Sequence, residues 1–112
     1  MARKRMVLEF GMGTDIRGAD PTKAACRALR DALWHNSLSI ATALGQPLQA
    51  MMIDVHIGVP RPEKVDKAQV LATLPYGNGT VTVVEGGLEV HDDGGTGSTL
   101  IANACAVVSL DV

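Results

Sequence analysis

The segment Leu100 to Leu110, LIANACAVVSL, constrains the fold more than any other part of the chain. Read as a strand, it sets Leu100, Ala102, Ala104, Ala106, Val108 and Leu110 on one side and Asn103, Cys105 and Ser109 on the other. A strand this apolar on both sides belongs between two neighbours, in the middle of a sheet. Its row of alanines also lets a helix lie close. Only three of the 112 residues are aromatic, so Val, Leu, Ile, Met and Ala must build the core.

The helix that fits this row follows the stretch GMGTDIRGADPTKAACRALRDA. Asp20 is placed to cap it and Pro21 to open it. It is expected to run to about Leu38, with Ala25, Ala28, Leu29, Ala32 and Leu33 as a narrow apolar stripe. Lys23, Arg27 and Arg30 form a basic stripe. Before it, Met6 to Met12 alternates as a strand, with Met6, Leu8, Phe10 and Met12 on one face and Val7, Glu9 and Gly11 on the other. Leu48 to Val59 is the clearest strand, with Met51, Ile53, Val55, Ile57 and Val59 on one face and Met52, Asp54, His56 and Gly58 on the other. A second helix is expected over Glu63 to Leu74 and a third strand over Thr80 to Glu85. Leu88 to His91 then reads either as a bulged continuation of that strand or as a short extra one.

These elements make one α+β domain over residues 1–112, in the order β-α-β-α-β-β. The expected sheet is mixed and four-stranded, in the order 1-4-2-3, with both helices on one face. The other face is expected to carry Glu9, Asp54, His56, Asn103 and Ser109 among Val7, Met52 and Val107. Such a face is too polar for a core and too apolar for water alone. Self-association resolves it.

Several function classes drop out. A net charge of −2 gives no global attraction for nucleic acid or anionic lipid. The scarcity of aromatics also argues against base stacking. The apolar run Met6-Val7-Leu8 is too short to cross a membrane or serve as a signal peptide, which implies the cytoplasm. Cys26 and Cys105 have no CxxC or nearby histidine and read as small buried residues. His91, Asp92 and Asp93 are sequence neighbours in a glycine-rich loop, a poor geometry for a metal. Neither metal nor cofactor is expected. His35 reads as a partner of a helix C-terminus.

The opening glycines match neither dinucleotide-binding nor Walker spacing, since Ala19 stands where the Walker lysine belongs. A helix N-terminus with Arg17 and Lys23 beside it favours a carboxylate or phosphate. The plainer alternative is that Asp20 already caps the helix and the glycines only permit a turn. Asp54 and His56 share a strand face, so they form either a proton-transfer pair or a polar network at a subunit interface. A triad built from Ser98 or Ser109 with His56 and Asp54 lacks a nucleophile elbow.

Four stretches, MGTDIRGADPTKAACRALRDALWHNSLS, IDVHIGVPRPEKVD, LPYGNGTVTVVEGGLEV and ANACAVVSLDV, resemble an uncharacterised family of short bacterial conserved hypothetical proteins. The strand order resembles the trimeric chorismate-mutase-like fold, and a related architecture occurs in the enamine/imine deaminases. The ring-opening amidohydrolases of cyanuric acid and barbiturate look like three such units in one chain. For their Ser-Lys dyads, Lys23 and Ser109 are the nearest counterparts here. The resemblance implies a homotrimer with clefts between subunits. The residue-level expectation is a small anionic or cyclic polar metabolite bound by Asp15, Arg17, Asp20, Thr22 and Lys23, with Asp54 and His56 as catalytic candidates. The reaction would be of lyase, isomerase or cyclic-amide hydrolase type. The alternative is a non-catalytic binding or assembly module.

Overall fold

The computed structural model describes residues 2–34 and 39–112. It is a mixed α+β domain with strands β1 (Arg3–Asp15), β2 (Met52–Gly58), β3 (Asn78–Val84), β4 (Leu88–His91) and β5 (Ser98–Asp111). The helices are α1 (Pro21–Trp34), α2 (Ile40–Ala43) and α3 (Lys67–Leu71). The sheet path is β1-β5-β2-β3, with β4 also on β5. The final strand is therefore central, as its apolar run requires. β2 and β3 are parallel, while β1, β2 and β4 each run antiparallel to β5.

The sheet has five strands, not four. Leu88–His91 leaves the line of β3 and joins β5 through Leu88↔Ile101 to His91↔Ser98, beyond the end of the β2 ladder at Gly58↔Asn103. Gly87 allows the switch, with a φ of +64° and no room for a Cβ, which would lie 1.9 Å from the Ile101 carbonyl oxygen. The second helix is broken too. Pro62–Lys64 is a single 3-10 turn, and α3 begins only after Asp66, whose side chain accepts from the Ala68 and Gln69 amides. β2 is shorter than its apolar row suggests because Leu48–Ala50 forms another 3-10 turn. His35 and the predicted helix end at Leu38 lie outside the described residues.

One sheet face is covered by helices. Ile53, Val55 and Ile57 of β2 join Ala102, Ala104, Ala106 and Val108 of β5 and Ala24, Ala25, Ala28 and Leu29 of α1 in one buried core. At Gly11 and Gly13, β1 meets the backbone of α1 directly. A Cβ on Gly11 would come within 2.4 Å of backbone atoms of Ala28 and Ala32, and one on Gly13 within 2.3 Å of Ala24 and Ala28. These glycines belong to β1, not to a loop, and their role is close approach.

That packing corrects the expected composition of the open face. Glu9, Gly11, Gly13 and Asp15 stand opposite Ala106, Ala104, Ala102 and Leu100, so they face the helices. Glu9 is buried, while Leu8, Phe10 and Met12 are exposed on the other side. Leu8, Phe10 and Met12 do alternate with Val7, Glu9 and Gly11, but on the opposite sides of the sheet from those expected, and Met6, at the register shift between Arg5 and Val7, packs against the core beside Val7 and not with Leu8. The reason is steric: the helix needs small residues beneath it, which leaves the large ones outside. Among the described residues, no helix is long and apolar enough to cross a membrane.

Candidate functional site

Two regions gather the polar side chains. The first is the loop after β1. Asp15 is buried there and accepts from Arg27 Nη1 at 3.3 Å and from the Asp20 amide at 2.7 Å. Arg27 Nη1 also donates to the Thr14 carbonyl at 2.7 Å. Asp20 Oδ1 accepts from the Thr22 amide at 2.9 Å, which makes it the expected cap of α1. Thr22 Oγ1 donates to the Lys64 carbonyl and accepts from the Asp66 amide at 2.9 Å, tying α1 to the turn before α3. Three of the five expected ligand residues, Asp15, Asp20 and Thr22, thus hold the loop in shape. Arg17 and Lys23 are exposed; the Lys23 amide donates to Asp20 Oδ1 at 3.4 Å, and among the described residues no hydrogen bond or ion pair engages either side chain.

Beside this loop lies a cluster that the sequence did not single out as a unit. Among the described residues, Ala19 and Arg61 are the two non-glycine residues with positive φ, 46° and 54°. Each such conformation costs on the order of 1 kcal/mol or more and needs its surroundings to hold it. Here they hold each other: Arg61 Nη2 donates to the Ala19 carbonyl at 3.2 Å. Arg61 Nη1 also pairs with Glu89 Oε1, and Ser98 Oγ donates to Glu89 Oε2. The Arg61 guanidinium, and then the Ser98 hydroxyl, hold the Glu89 carboxyl below the usual carboxylate range. Reciprocally, the bond to Glu89 raises the Arg61 pKa. Ser98, already donating to a carboxylate of weakened basicity, is a clamp on β4. The run Pro60-Arg61-Pro62 was the available signal, because a residue between two prolines has few conformations open to it.

The second region is the open face. Its rows follow from the strand register: Met12, Asn103, Gly58 and Val84; then Phe10, Cys105, His56 and Thr82; then Leu8, Val107, Asp54 and Thr80. Phe10, His56, Gly58, Val84, Asn103 and Cys105 line a shallow depression of about 150 Å³. Burial pushes the Cys105 thiol pKa up, which favours the neutral thiol in this lining.

Asp54 and His56 share this face, as expected of them, but Asp54 is occupied. Arg3 Nη2 donates to its Oδ2 and Thr80 Oγ1 to its Oδ1, both at 2.7 Å. The Arg3 and Asp54 side chains remain 48% and 36% exposed, which limits the pair to about 0–1 kcal/mol. Asp54→Asn is therefore expected to fold and to stay within about 1 kcal/mol of the parent in urea unfolding. A larger loss would show that the carboxylate is buried in the working protein. Lys23, at the start of α1, and Ser109, near the end of β5, lie at opposite ends of the molecule. Among the described residues, no group of three His, Cys, Asp or Glu side chains is placed to hold a metal.

The residues missed by sequence reading share one pattern. In β1 and β4 the large apolar residues point outward and the carboxylate between them points inward: Leu8-Glu9-Phe10 and Leu88-Glu89-Val90. Phe10 is 69% exposed, Leu88 58% and Val90 60%, whereas Glu9 is 1% exposed.

The chain is similar over its full length to a crystal structure from Nostoc punctiforme described as an FtsZ-like protein of unknown function. The two share 40% identity, with a TM-score of 0.89, and the match covers 100% of this chain and 99% of that one. No curated protein matches. A family model described as conserved hypothetical protein, Lin0512, matches residues 5–108, and the chain belongs to that family.

Proposed function

We propose that this protein is a cytoplasmic homo-oligomer that covers its open sheet face with further copies of itself and binds a small polar metabolite at the boundary between them. The observation that carries this reading is the inverted patterning of β1 and β4. Leu8, Phe10, Met12, Val84, Leu88 and Val90 are all exposed. Water alone does not favour a contiguous face of that kind. The likeness of the strand path to the trimeric chorismate-mutase-like fold supports an oligomer and makes three the number expected by analogy, since a fold carries no function by itself.

The depression on this face supports the metabolite. At about 150 Å³ it is smaller than the usual pocket for a small molecule, and a second subunit would complete it. Phe10 offers an apolar wall, and His56 and Asn103 offer hydrogen bonds. If a reaction of lyase, isomerase or amide-hydrolysing type occurs there, His56 moves the proton, and Asp54 is fixed by Arg3 and Thr80 as a support. Arg17 and Lys23, exposed beside a capped helix end, are the groups left to attract an anion. A second reading is a purely structural assembly module, favoured by the full engagement of Asp54, Asp15 and Asp20 within the chain.

Phe10→Glu tests the oligomer. It sets a charge in the middle of the apolar face without touching the helix-packed core. Ultracentrifugation at micromolar concentration should give a multiple of the 11.7 kDa protomer mass for the parent and the protomer mass for the variant. A parent that sediments as a protomer throughout that range defeats the proposal.

A further inference from the structure

The helix α1 is longer than the element that runs beside it. Its 14 residues start next to the turn before α3, where Thr22 Oγ1 accepts from the Asp66 amide. α3 has only five residues, and the chain leaves it through Thr73 and Pro75 toward β3. The last turn of α1 therefore borders a cleft instead of a partner helix. Among the described residues, Arg30, Leu33 and Trp34 of α1 line that cleft with Thr73 and Pro75, around a volume of about 310 Å³. This is about twice the depression on the open face, and it reaches the lower end of the usual range for small-molecule sites, roughly 300–1,000 Å³. Both helices pack on the covered side of the sheet, through Ala24, Ala25, Ala28 and Leu29 of α1 and Val70 of α3. Copies packed on the open face do not close a cleft between them.

The lining of the cleft is selective. Trp34 is the only tryptophan in the chain, and it is 85% exposed. An indole displayed that far gains most from a flat partner that covers its ring. Arg30 stands one turn earlier, at the spacing that makes two helical side chains neighbours. Within the basic stripe, Arg27 is taken by the Thr14 carbonyl and Asp15. No hydrogen bond or ion pair among the described residues engages the Arg30 side chain. Asp31, next to it, is turned toward β1 and accepts from the Met12 amide at 2.9 Å. Thr73 Oγ1 donates to the Gln69 carbonyl at 3.3 Å, which leaves it a lone pair to offer and no proton. The described lining is thus a flat apolar wall with one guanidinium and no carboxylate. We propose that this cleft binds a small planar aromatic carboxylate, with the ring laid on Trp34 against Leu33 and Pro75 and the carboxylate on Arg30. A guanidinium presents two parallel N–H donors that match the two oxygens of a carboxylate. A phosphate would leave charge and oxygens unmatched, because no second cation lines the cleft among the described residues.

The single tryptophan supplies the reporter, since the protein has one indole Nε1–H cross-peak in a proton–nitrogen correlation spectrum. Benzoate is the probe. Benzamide keeps its ring and loses the charge, while cyclohexanecarboxylate keeps the charge and loses the flat ring. Benzoate should shift the indole peak saturably, and each of the other two should bind on the order of tenfold more weakly. Arg30→Gln alters an exposed side chain and should weaken benzoate to the level of benzamide. Added salt should weaken benzoate and leave benzamide unchanged, as the charge on Arg30 is screened. The proposal is overturned if the indole peak ignores benzoate, answers benzoate and benzamide equally, or answers benzoate in Arg30→Gln as it does in the parent. Should Arg30→Gln lose the parent spectrum, benzoate against benzamide on the parent still decides. Phe10→Glu separates this cleft from the open-face reading above: benzoate affinity at Trp34 should survive that substitution whatever happens to the sedimenting mass. A benzoate response lost in Phe10→Glu, or an indole peak that moves when the parent alone is diluted, would show that another copy of the chain covers the cleft and would overturn the proposal.

Discussion

Gly13→Ala is expected to be among the most damaging single substitutions in this chain, costing about 3 kcal/mol, the upper part of the usual range for overpacking. The added methyl carbon would lie 2.3 Å from both the Ala24 carbonyl oxygen and the Ala28 amide nitrogen. Those atoms are helix backbone and have no rotamer through which to withdraw. Relief requires α1 to lift from β1, and that opens the core in which Ala24, Ala25 and Ala28 are fully buried. Near the transition, such a loss lowers the melting temperature by roughly 10 °C or more. Gly94→Ala is the matched control, since a Cβ there meets only Thr96 Oγ1 at 3.8 Å. Calorimetry of the two variants checks the claim. Equal melting temperatures would mean that α1 adjusts without cost and that the strand–helix contact is looser than it looks.

The same contact explains how much of the fold could be read in advance. The central position of Ser98–Asp111, the cap at Asp20 and the buried row Met51, Ile53, Val55, Ile57 and Val59 all follow from strong local signals. Each depends on one element and its period. The side of the sheet on which β1 presents Glu9 depends on a relation between elements. Alternation gives two faces, but which one meets the helix depends on what the helix tolerates beneath it. Alanines 24, 28 and 32 tolerate only glycine, so the carboxylate is drawn inside beside Gly11 and Phe10 is turned out. For the same reason Asp54 and His56 were legible as neighbours on one face, while the engagement of Asp54 by Arg3 and Thr80 was not. Those partners come from 51 and 26 residues away in sequence. The Arg61–Glu89–Ser98 cluster was hidden because β4 leaves the line of β3 for β5, a switch that only its pairing reveals.

Glu9 supplies the other large expected effect, and its sign is opposite. The residue is 1% exposed, and among the described residues neither Oε1 nor Oε2 has a hydrogen-bond partner. A carboxyl group buried without a partner loses its hydration and gains nothing in return, a cost of about 1–3 kcal/mol or more. Its position opposite Ala106 lies on the helix-covered face, among apolar neighbours. Methionine matches the length of the side chain and has no polar atom that requires a partner. Glu9→Met is therefore expected to raise unfolding stability by about 1–3 kcal/mol, read as a higher urea midpoint at unchanged slope. A chain that keeps such a residue against its own stability keeps it for a reason beyond packing. The variant separates two cases by its effect on self-association. If stability rises while the sedimenting mass is unchanged, the carboxyl is a local cost that assembly does not need. If stability falls, the carboxylate has a partner in the working protein, and the account of an unpaired group in the core is wrong.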